Sequence, residues 1–275
     1  MPELPEVETL RRGLERHLVG KTITGGRVVN NKILAGTYVD AEQFLGILSG
    51  KIVESVDRRG KHLIFRLNSG YHLLFHLKMR GQILVVPHEE ADQKYLTVSL
   101  EFDDCRDLRF YDMWTWGEAR LLTTSEFESH TVLEKMGVEP LSDDFTPLVL
   151  EDSLKQHPRT RVKAALLDQT VVAGVGNIYA DESLYSSGIL PERTADSLTR
   201  DEIGRLTEAI KQVLSQATEA GGTQSDNYVD ADGTAGAFVP RVYGRGGEPC
   251  LRCGNKLAKI KVVGRGTVYC SVCQS

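Results

Sequence analysis

Two pairs of cysteines near the end of the chain constrain its fold more than any other feature. Cys250 and Cys253 form one Cys-x-x-Cys pair, Cys270 and Cys273 form a second, and 16 residues separate the two pairs. This spacing is typical of a zinc ribbon, in which four thiolates close a tetrahedral site around one metal ion. We therefore expect one structural zinc ion with no coordination position left open for catalysis. The fifth cysteine, Cys105, is expected to have no role.

Composition is that of a globular protein of ordinary size. The 275 residues are 41% hydrophobic and 26% charged, which is enough for two domains, each with its own core. No run of about 18 apolar residues occurs, so we expect no membrane span and no membrane partner. The N-terminus lacks a signal-peptide pattern, so we interpret Met1 as the true start of a cytoplasmic protein.

The charge is distributed unevenly along the chain. The net charge of −5 argues at first sight against nucleic-acid binding, but phosphates meet one face of a protein and not its average. Between Phe238 and Ser275 there are seven basic residues and one acid. Residues 58–62, Arg-Arg-Gly-Lys-His, add a second basic cluster. A scatter of solvated charges remains the alternative, but the clustering favours a nucleic-acid face.

Hydrophobic periodicity predicts an α+β protein. An apolar stripe over residues 5–18 predicts an amphipathic helix. Short segments bounded by turn residues then predict an antiparallel β-sandwich. We expect its strands at 62–67, 73–77, 83–86, 95–102 and 108–111.

Helical patterns dominate from residue 124 onward. Thr199 is a plausible cap for a helix that stops at Gly221-Gly222, and the segment from Gly188 to Pro191 should end the preceding helix. Residues 262–269 read as two short strands around a glycine turn. We therefore expect an N-terminal catalytic sandwich over 1–130, a helical DNA-binding domain over 131–236 and a zinc finger over 237–275.

The beginning of the chain carries candidate chemistry. If Met1 is removed, Pro2 exposes a secondary amine with a pKa near ~8, which is a usable nucleophile at neutral pH. Attack on the anomeric carbon of a nucleotide sugar would displace the base and leave an iminium, which permits elimination of the phosphates. Glu3 would transfer protons at the opening sugar, and Glu6 would assist. A simple helix cap is the alternative, and without the rest of the chain it would be preferred.

Three blocks of sequence resemble the formamidopyrimidine-DNA glycosylase family. They are Met1–Thr9, the run Gly174–Glu182 and Gly264–Cys270. Each is suggestive alone, but the ordered set covers nearly the whole chain and is highly specific. The resemblance implies a base-excision repair enzyme that releases formamidopyrimidines and 8-oxoguanine from duplex DNA and cleaves the strand as an AP lyase. It also implies a helix–two-turns–helix domain and a monomer at the bacterial nucleoid without a nucleotide cofactor.

The resemblance further implies roles for individual residues. Lys61 would contact phosphate near the catalytic centre, and His76 and Asn177 would contact phosphates beside the lesion. Arg265, at the tip of the ribbon, would hold a phosphate bidentately. Met79 would wedge into the gap that a flipped base leaves.

One segment departs from the family pattern. Residues 112–117 place Trp114 where the family has the arginine that reads the base opposite the lesion, and Trp116 where it has a wedging phenylalanine. Trp116 can still stack on a base, but Trp114 has only an indole N–H to donate. We therefore expect weak discrimination between opposite bases, unless Arg80 or Arg109 has taken over this role.

The loop at 221–229, which the resemblance implies covers the flipped base, is a second departure, with Asp226 where basic or polar residues are common in the family. The resemblance therefore implies the reaction, while the loop leaves the identity of the damaged base open. Two other interpretations remain open. An endonuclease VIII-like enzyme for oxidised pyrimidines usually has glycine where this chain has Leu4, and a non-catalytic zinc-ribbon binder of damaged DNA has no need of Pro2 and Glu3.

Overall fold

The computed structural model describes residues 1–34, 39–224 and 228–275. These residues form two compact units, the first from Met1–Glu134 with Gly221–Ala237 and the second from Lys135–Ala220 with Phe238–Ser275. The chain thus returns to the first unit for a short segment before it ends in the second. The three functional domains expected from the sequence stay a prediction.

In the described part of the first unit, eight strands form two four-stranded sheets. One sheet has the order β1-β6-β7-β5 and the other has the order β2-β3-β4-β8, and neighbours pair antiparallel throughout. The strands are β1 (Ile23–Val28), β2 (Val53–Arg59), β3 (His62–Leu67), β4 (Tyr71–His76), β5 (Gly81–Pro87), β6 (Leu96–Phe102), β7 (Arg106–Asp112) and β8 (Glu118–Thr123). The predicted antiparallel sandwich is confirmed. Strands β1, β2 and β8 were not predicted, because glycines or charged residues interrupt their alternation.

Helices flank the two sheets. Helix α1 spans Leu4–Leu18, as its apolar stripe predicts, and Pro5 lies in its first turn, where the missing N–H removes no helical hydrogen bond. The other helices of this unit are α2 (Ala41–Leu48), α3 (Thr124–Glu128) and α4 (Thr131–Glu134). Cys105 lies exposed in the turn between β6 and β7, with φ 61°.

One apolar core joins both sheets to helix α1. The ring of Phe75 lies 5.5 Å from that of Phe65 in its own sheet and 5.8 Å from that of Phe110 in the other sheet, both in edge-on geometry. Each such pair contributes about 0.5–1.5 kcal/mol beyond the area that it buries. Leu10 of helix α1 is buried in the same cluster. The sandwich is therefore a rigid support for the turns at its edges.

The second unit is mainly helical. Its helices are α5 (Pro147–Lys155), α6 (Val162–Leu167), α7 (Asn177–Ser187) and α8 (Arg200–Glu219). The hydroxyl of Thr199 caps α8 by accepting from the N–H of Glu202 at 3.3 Å, and Gly188 ends α7 with φ 76°. Both helix boundaries agree with the sequence prediction.

An antiparallel hairpin completes the second unit. Its strands are β9 (Ala258–Val262) and β10 (Arg265–Tyr269), and the glycine turn between them was predicted. Val263 and Gly264 form this turn with φ 43° and 76°. In the part of the chain that the structure describes, no helix has both the length and the apolar character needed to cross a membrane.

Candidate functional site

Pro2 and Glu3 lie at the buried beginning of helix α1. Both residues are buried, as is Glu6 one turn further on. The backbone N–H of Glu3 donates to Oε2 of Glu6 at 2.8 Å. The first turn of a helix leaves such donors without a partner inside the helix, and an acid at this position satisfies one of them. The helix start thereby fixes two carboxyl groups beside the amino terminus.

The amino group of Met1 is surrounded by charges of both signs. Burial lowers the pKa of this amine below its ordinary value, and Lys61 and Arg80 lower it further, whereas Glu3 and Glu6 act in the opposite direction. An amine with a lowered pKa is unprotonated in a larger fraction of molecules near pH 7, which favours nucleophilic attack. The predicted residues Glu3 and Lys61 therefore both lie within electrostatic reach of the amino terminus.

Glu6 also holds the segment that returns to the first unit. Its Oε1 accepts the backbone N–H of Thr223 at 2.8 Å, and its carbonyl accepts the hydroxyl of Tyr228 at 3.0 Å. Gly222 directly precedes Thr223 with φ 94°, and a Cβ there would be only 2.8 Å from the ring of Tyr228. Asp226, to which the sequence directs attention, lies outside the described residues. The described flanks of this segment are fixed to the helix that carries the predicted acids.

Lys61 occupies the two-residue turn between β2 and β3. Arg59 pairs with His62 across this turn, and Gly60 takes φ 55°, as the first residue of a tight hairpin turn often requires. Lys61 is 7% exposed, so most of its side chain packs within the unit. Its position is set by the hairpin and not by a flexible loop.

His76 is a neutral hydrogen-bond donor. Its Nδ1 accepts the backbone N–H of Lys78 at 3.0 Å, so the proton of the neutral ring is on Nε2. Burial lowers the pKa of His76 to about 2 and that of neighbouring His62 to about 4. The two rings lie 4.5 Å apart, edge to face. His76 can therefore donate to a phosphate oxygen without a change in charge at physiological pH.

The predicted wedge residues lie in two turns of the first unit. Met79 is half-buried in the turn between β4 and β5. Trp116 is 58% exposed and Trp114 is 37% exposed in the turn after β7, with their ring centroids 5.0 Å apart. Large exposed aromatics are unusual on a protein that binds nothing, so these turns are a candidate binding surface.

In the second unit, Asn177 is the first residue of helix α7. Its Nδ2 donates to the carbonyl of Gly266 at 3.1 Å, so it lies directly beside the hairpin whose exposed tip carries Arg265. The side chain of Gln169 holds the preceding turn, because it accepts from the N–H of Gly174 and donates to the carbonyl of Val175, both at 2.9 Å. The structure thus brings two predicted phosphate contacts together at a helix N-terminus, where anions are favoured.

A buried ion pair, which was not predicted, ties helix α7 to the hairpin. Nζ of Lys163 lies 2.7 Å from Oδ1 of Asp181, and both side chains are almost completely buried. The same ammonium donates to the carbonyl of Gly266 at 3.0 Å and to Oγ1 of Thr267 at 2.7 Å. Oδ2 of Asp181 accepts the N–H of Val268 at 3.0 Å. These contacts fix the hairpin at the residues next to Arg265.

Glu182 was likewise missed by sequence reasoning. Its carboxylate accepts three successive backbone N–H groups, those of Arg241, Val242 and Tyr243, each at 2.8 Å. A carboxylate that is buried in this way fixes the segment that enters the ribbon. A sequence signal that could have pointed to Glu182 was the pair of consecutive acids, Asp181 and Glu182, in a helix that has no continuous polar face.

The four predicted cysteines form one cluster. Their Sγ atoms all lie within 4.8 Å of one another, and Cys250 and Cys270 are buried. Four thiolates at this separation match the donor set of a closed structural zinc site, and they leave no position for a catalytic water. Zinc would hold the ribbon together here without taking part in chemistry.

This arrangement defines a two-unit protein of the helix–two-turns–helix and zinc-finger class. Residues 1–119 match the formamidopyrimidine-DNA glycosylase N-terminal domain, residues 136–228 match the formamidopyrimidine-DNA glycosylase H2TH domain, and residues 247–275 match the zinc finger found in FPG and IleRS. The chain belongs to the formamidopyrimidine-DNA glycosylase family. The expectation from its sequence blocks is confirmed.

Relatives match over their whole length. The formamidopyrimidine-DNA glycosylase of Geobacillus kaustophilus is 44% identical, with 100% of both chains covered. Lactococcus lactis Fpg (MutM), solved with DNA containing N7-benzyl-Fapy-dG, is 35% identical, with a TM-score of 0.91 and 99% of both chains covered. The Lactococcus lactis protein solved with DNA containing an oxidised pyrimidine is also 35% identical, with a TM-score of 0.90 and 99% of both chains covered.

Proposed function

We propose that the chain is a base-excision repair DNA glycosylase that releases oxidised purines, including formamidopyrimidines and 8-oxoguanine, from duplex DNA. The same active site then cleaves the strand as an AP lyase. The observation that carries the proposal is the buried start of helix α1, where Pro2 and Glu3 lie side by side and the N–H of Glu3 donates to the carboxylate of Glu6 at 2.8 Å. The family to which the chain belongs supports the same reaction, and a relative binds DNA that contains a modified formamidopyrimidine.

Removal of Met1 makes Pro2 the nucleophile. Its secondary amine attacks C1′ of the damaged nucleotide, the bond from C1′ to the base breaks, and the base leaves with a proton. The bond from C1′ to the ring oxygen O4′ then breaks as that oxygen takes a proton, and the nitrogen lone pair forms a double bond with C1′ as an iminium. Its positive charge acidifies the neighbouring C–H bond, so the phosphates can be eliminated and the strand is cut.

The buried carboxyl groups serve the proton transfers. Glu3 protonates the sugar-ring oxygen as the ring opens, which requires the group to be held beside C1′. The carboxylate of Glu6 accepts the N–H groups of Glu3 and Thr223. These hydrogen bonds fix the side chain of Glu6, which in turn positions Glu3. Arrangement of these groups before the substrate binds avoids an ordering cost during the reaction.

Phosphate contacts hold the duplex. Lys61 and His76 are the proposed contacts of the first unit, and Asn177 and Arg265 are those of the second. Such contacts supply affinity and register but carry no sequence information. Met79 and Trp116 enter the space that the extruded base leaves and offset part of the unstacking cost, which is a few kcal/mol.

Borohydride trapping on a panel of duplexes tests the proposal. Protein with a free Pro2 should form a covalent adduct with DNA that contains 8-oxoguanine, a formamidopyrimidine or an abasic site. Pro2→Gly should weaken trapping, and Glu3→Gln should impair base release more than lyase action on a ready-made abasic site. If protein with a blocked N-terminus were trapped as efficiently as the free form, Pro2 would not be the nucleophile.

Oxidised pyrimidines are the second candidate substrate class, because the Lactococcus lactis protein was solved with DNA of this kind. The same panel should therefore contain an oxidised pyrimidine, and faster release of that base than of 8-oxoguanine would favour this alternative. Binding to every damaged duplex without an adduct would instead indicate a damage binder.

We further propose that the protein works as a monomer at the nucleoid in the cytoplasm, without a nucleotide cofactor, as one lesion engages one site.

A further inference from the structure

The exposed tryptophan pair belongs to a turn that a buried carboxylate holds rigid. Asp112 is 2% exposed. Its Oδ1 accepts the N–H of Trp114 at 3.0 Å, and its Oδ2 accepts those of Trp116 and Gly117 at 2.7 and 2.6 Å. Thr115 takes a positive φ of 55° between the two indoles. A turn fixed in this way presents its aromatic rings without a further ordering cost on binding.

Strand register brings Arg80 to this turn. Gly81, the first residue of β5, pairs with Asp112, the last residue of β7, so the residues just outside the two strands are neighbours. A Cβ on Gly81 or on Gly117 would approach the ring of Phe110 to 2.6 Å. Both turns therefore pack against one buried phenylalanine, which fixes their separation.

The guanidinium of Arg80 lies over the ring of Trp114, 5.3 Å from its centroid. Arg80 is exposed and can reach a ligand on this surface. Arg109, the other candidate from the sequence, is 1% exposed and donates to Asp107 at 2.9 Å and to the carbonyl of Glu90 at 2.7 Å. Its donors are committed to the fold, so Arg109 is excluded as a reader of DNA.

We propose that Arg80, stacked on Trp114, reads the base that is left unpaired opposite the lesion and selects cytosine. This proposal rests on the proposed glycosylase function. Extrusion of a damaged base leaves its partner with an exposed Watson–Crick edge. A guanidinium only donates hydrogen bonds, in a fixed fork. Cytosine alone offers two adjacent acceptors, O2 and N3, on that edge, whereas the other bases place a donor beside each acceptor.

The position of Arg80 relative to the amino terminus supports this assignment. Burial, Lys61 and Arg80 together lower the pKa of the amine of Met1, so the cation lies within electrostatic reach of the proposed reaction centre. Trp114 by itself offers one hydrogen-bond donor. Arg80 supplies the further donors that the family's arginine would have provided at position 114.

Single-turnover release of 8-oxoguanine opposite C, A, G and T tests the proposal. Wild type should favour C by about tenfold, the lower range for a bidentate contact. Arg80→Ala should make the four rates nearly equal. Arg80→Lys should also make the four rates nearly equal, because the two-pronged donor geometry of the guanidinium is lost. The salt dependence of DNA binding should stay unchanged in this variant, because the positive charge remains. Arg27→Ala removes an exposed arginine of strand β1 in the same unit, and this control variant should keep the preference for C.

A wild type without preference for C, or an Arg80→Ala variant that retains it, would overturn the assignment. These outcomes leave the proposed function intact, because base release still occurs in both. Failure of the wild type to release an oxidised purine from any of the four duplexes would instead remove the proposed function. Arg80 is exposed, and equal melting temperatures of the variants would show that the substitutions spare the fold.

Discussion

The carboxylate of Glu6 accepts the backbone N–H of Thr223, 217 positions later in the chain, at 2.8 Å. Through this bond the first turn of helix α1 holds the segment that returns to the first unit. A buried acceptor that loses its donor pays the cost of its desolvation, about 1–3 kcal/mol. The start of the chain and this late segment therefore act as one structural element.

Gly222→Ala should disturb this element, because φ 94° and the ring of Tyr228 leave no room for a methyl group. We expect a local cost of about 1 kcal/mol or more. Release of 8-oxoguanine should slow, whereas cleavage at a ready-made abasic site should be largely retained, since no base needs to be covered. Gly46→Ala, in helix α2 with open space around its Cβ and no positive φ, is the control. Equal slowing of both activities would show that the segment does not act on the base.

The buried pair of Lys163 and Asp181 should be sensitive to the loss of one partner. Lys163→Met leaves an unpaired carboxylate in the core, for which the expected cost is about 3–5 kcal/mol. The double variant Lys163→Met/Asp181→Leu should lose less than the single variant, because no buried charge remains. Hydrogen exchange of the hairpin residues 258–269, measured in the intact protein, would show how far each variant loosens the hairpin. Unchanged protection in Lys163→Met would contradict the proposed tie between α7 and the hairpin.

The two half-buried histidines His62 and His76 should make the first unit sensitive to acid. In the unfolded chain both have a pKa near ~6.5, but burial lowers the pKa of His62 to about 4 and that of His76 to about 2 in the fold. Below pH 6.5 the unfolded state binds more protons, so stability must fall as the pH falls toward 4. Unfolding in urea between pH 7 and 4 would measure this slope. His62→Phe should flatten it, and an unchanged slope would place the cause elsewhere.

The cysteine cluster predicts one zinc ion per chain. Cys253→Ser should lose the metal and unfold the ribbon, since metal binding supplies much of the folding energy of such small modules. Affinity for DNA should fall with it, while the first unit stays folded. Cys105→Ser is a matched control, because this exposed cysteine lies outside the cluster. Metal analysis of freshly purified protein without bound zinc would refute the prediction.

Arg265 should contact a phosphate and not a base. Arg265→Gln should weaken binding to damaged and undamaged duplex about equally and reduce the slope of log affinity against log salt by up to ~1. Arg200→Gln, at an exposed arginine in the same unit, should leave that slope unchanged. A loss confined to damaged DNA with an unchanged slope would mean that Arg265 reads the lesion.

The sequence by itself determined the local elements of this protein. The apolar stripe defines helix α1, the cap at Thr199 defines the start of α8, and the spacing of four cysteines defines the ribbon. These features depend on neighbours within a few positions, where periodicity, caps and glycine turns act. The sequence blocks also indicated the family, because the residues that do chemistry occur in a fixed order along the chain.

Only the tertiary structure decided which distant groups meet. Glu6 reaches Thr223, Lys163 reaches Gly266, and the pairing of Gly81 with Asp112 brings Arg80 onto Trp114. None of these partners can be inferred from spacing, because strand register and buried hydrogen bonds are set by how whole elements pack. The sequence suggested that an arginine was missing from the opposite-base position. Packing of two turns on one phenylalanine brings Arg80 beside Trp114, since side chains from different turns converge only in the folded state.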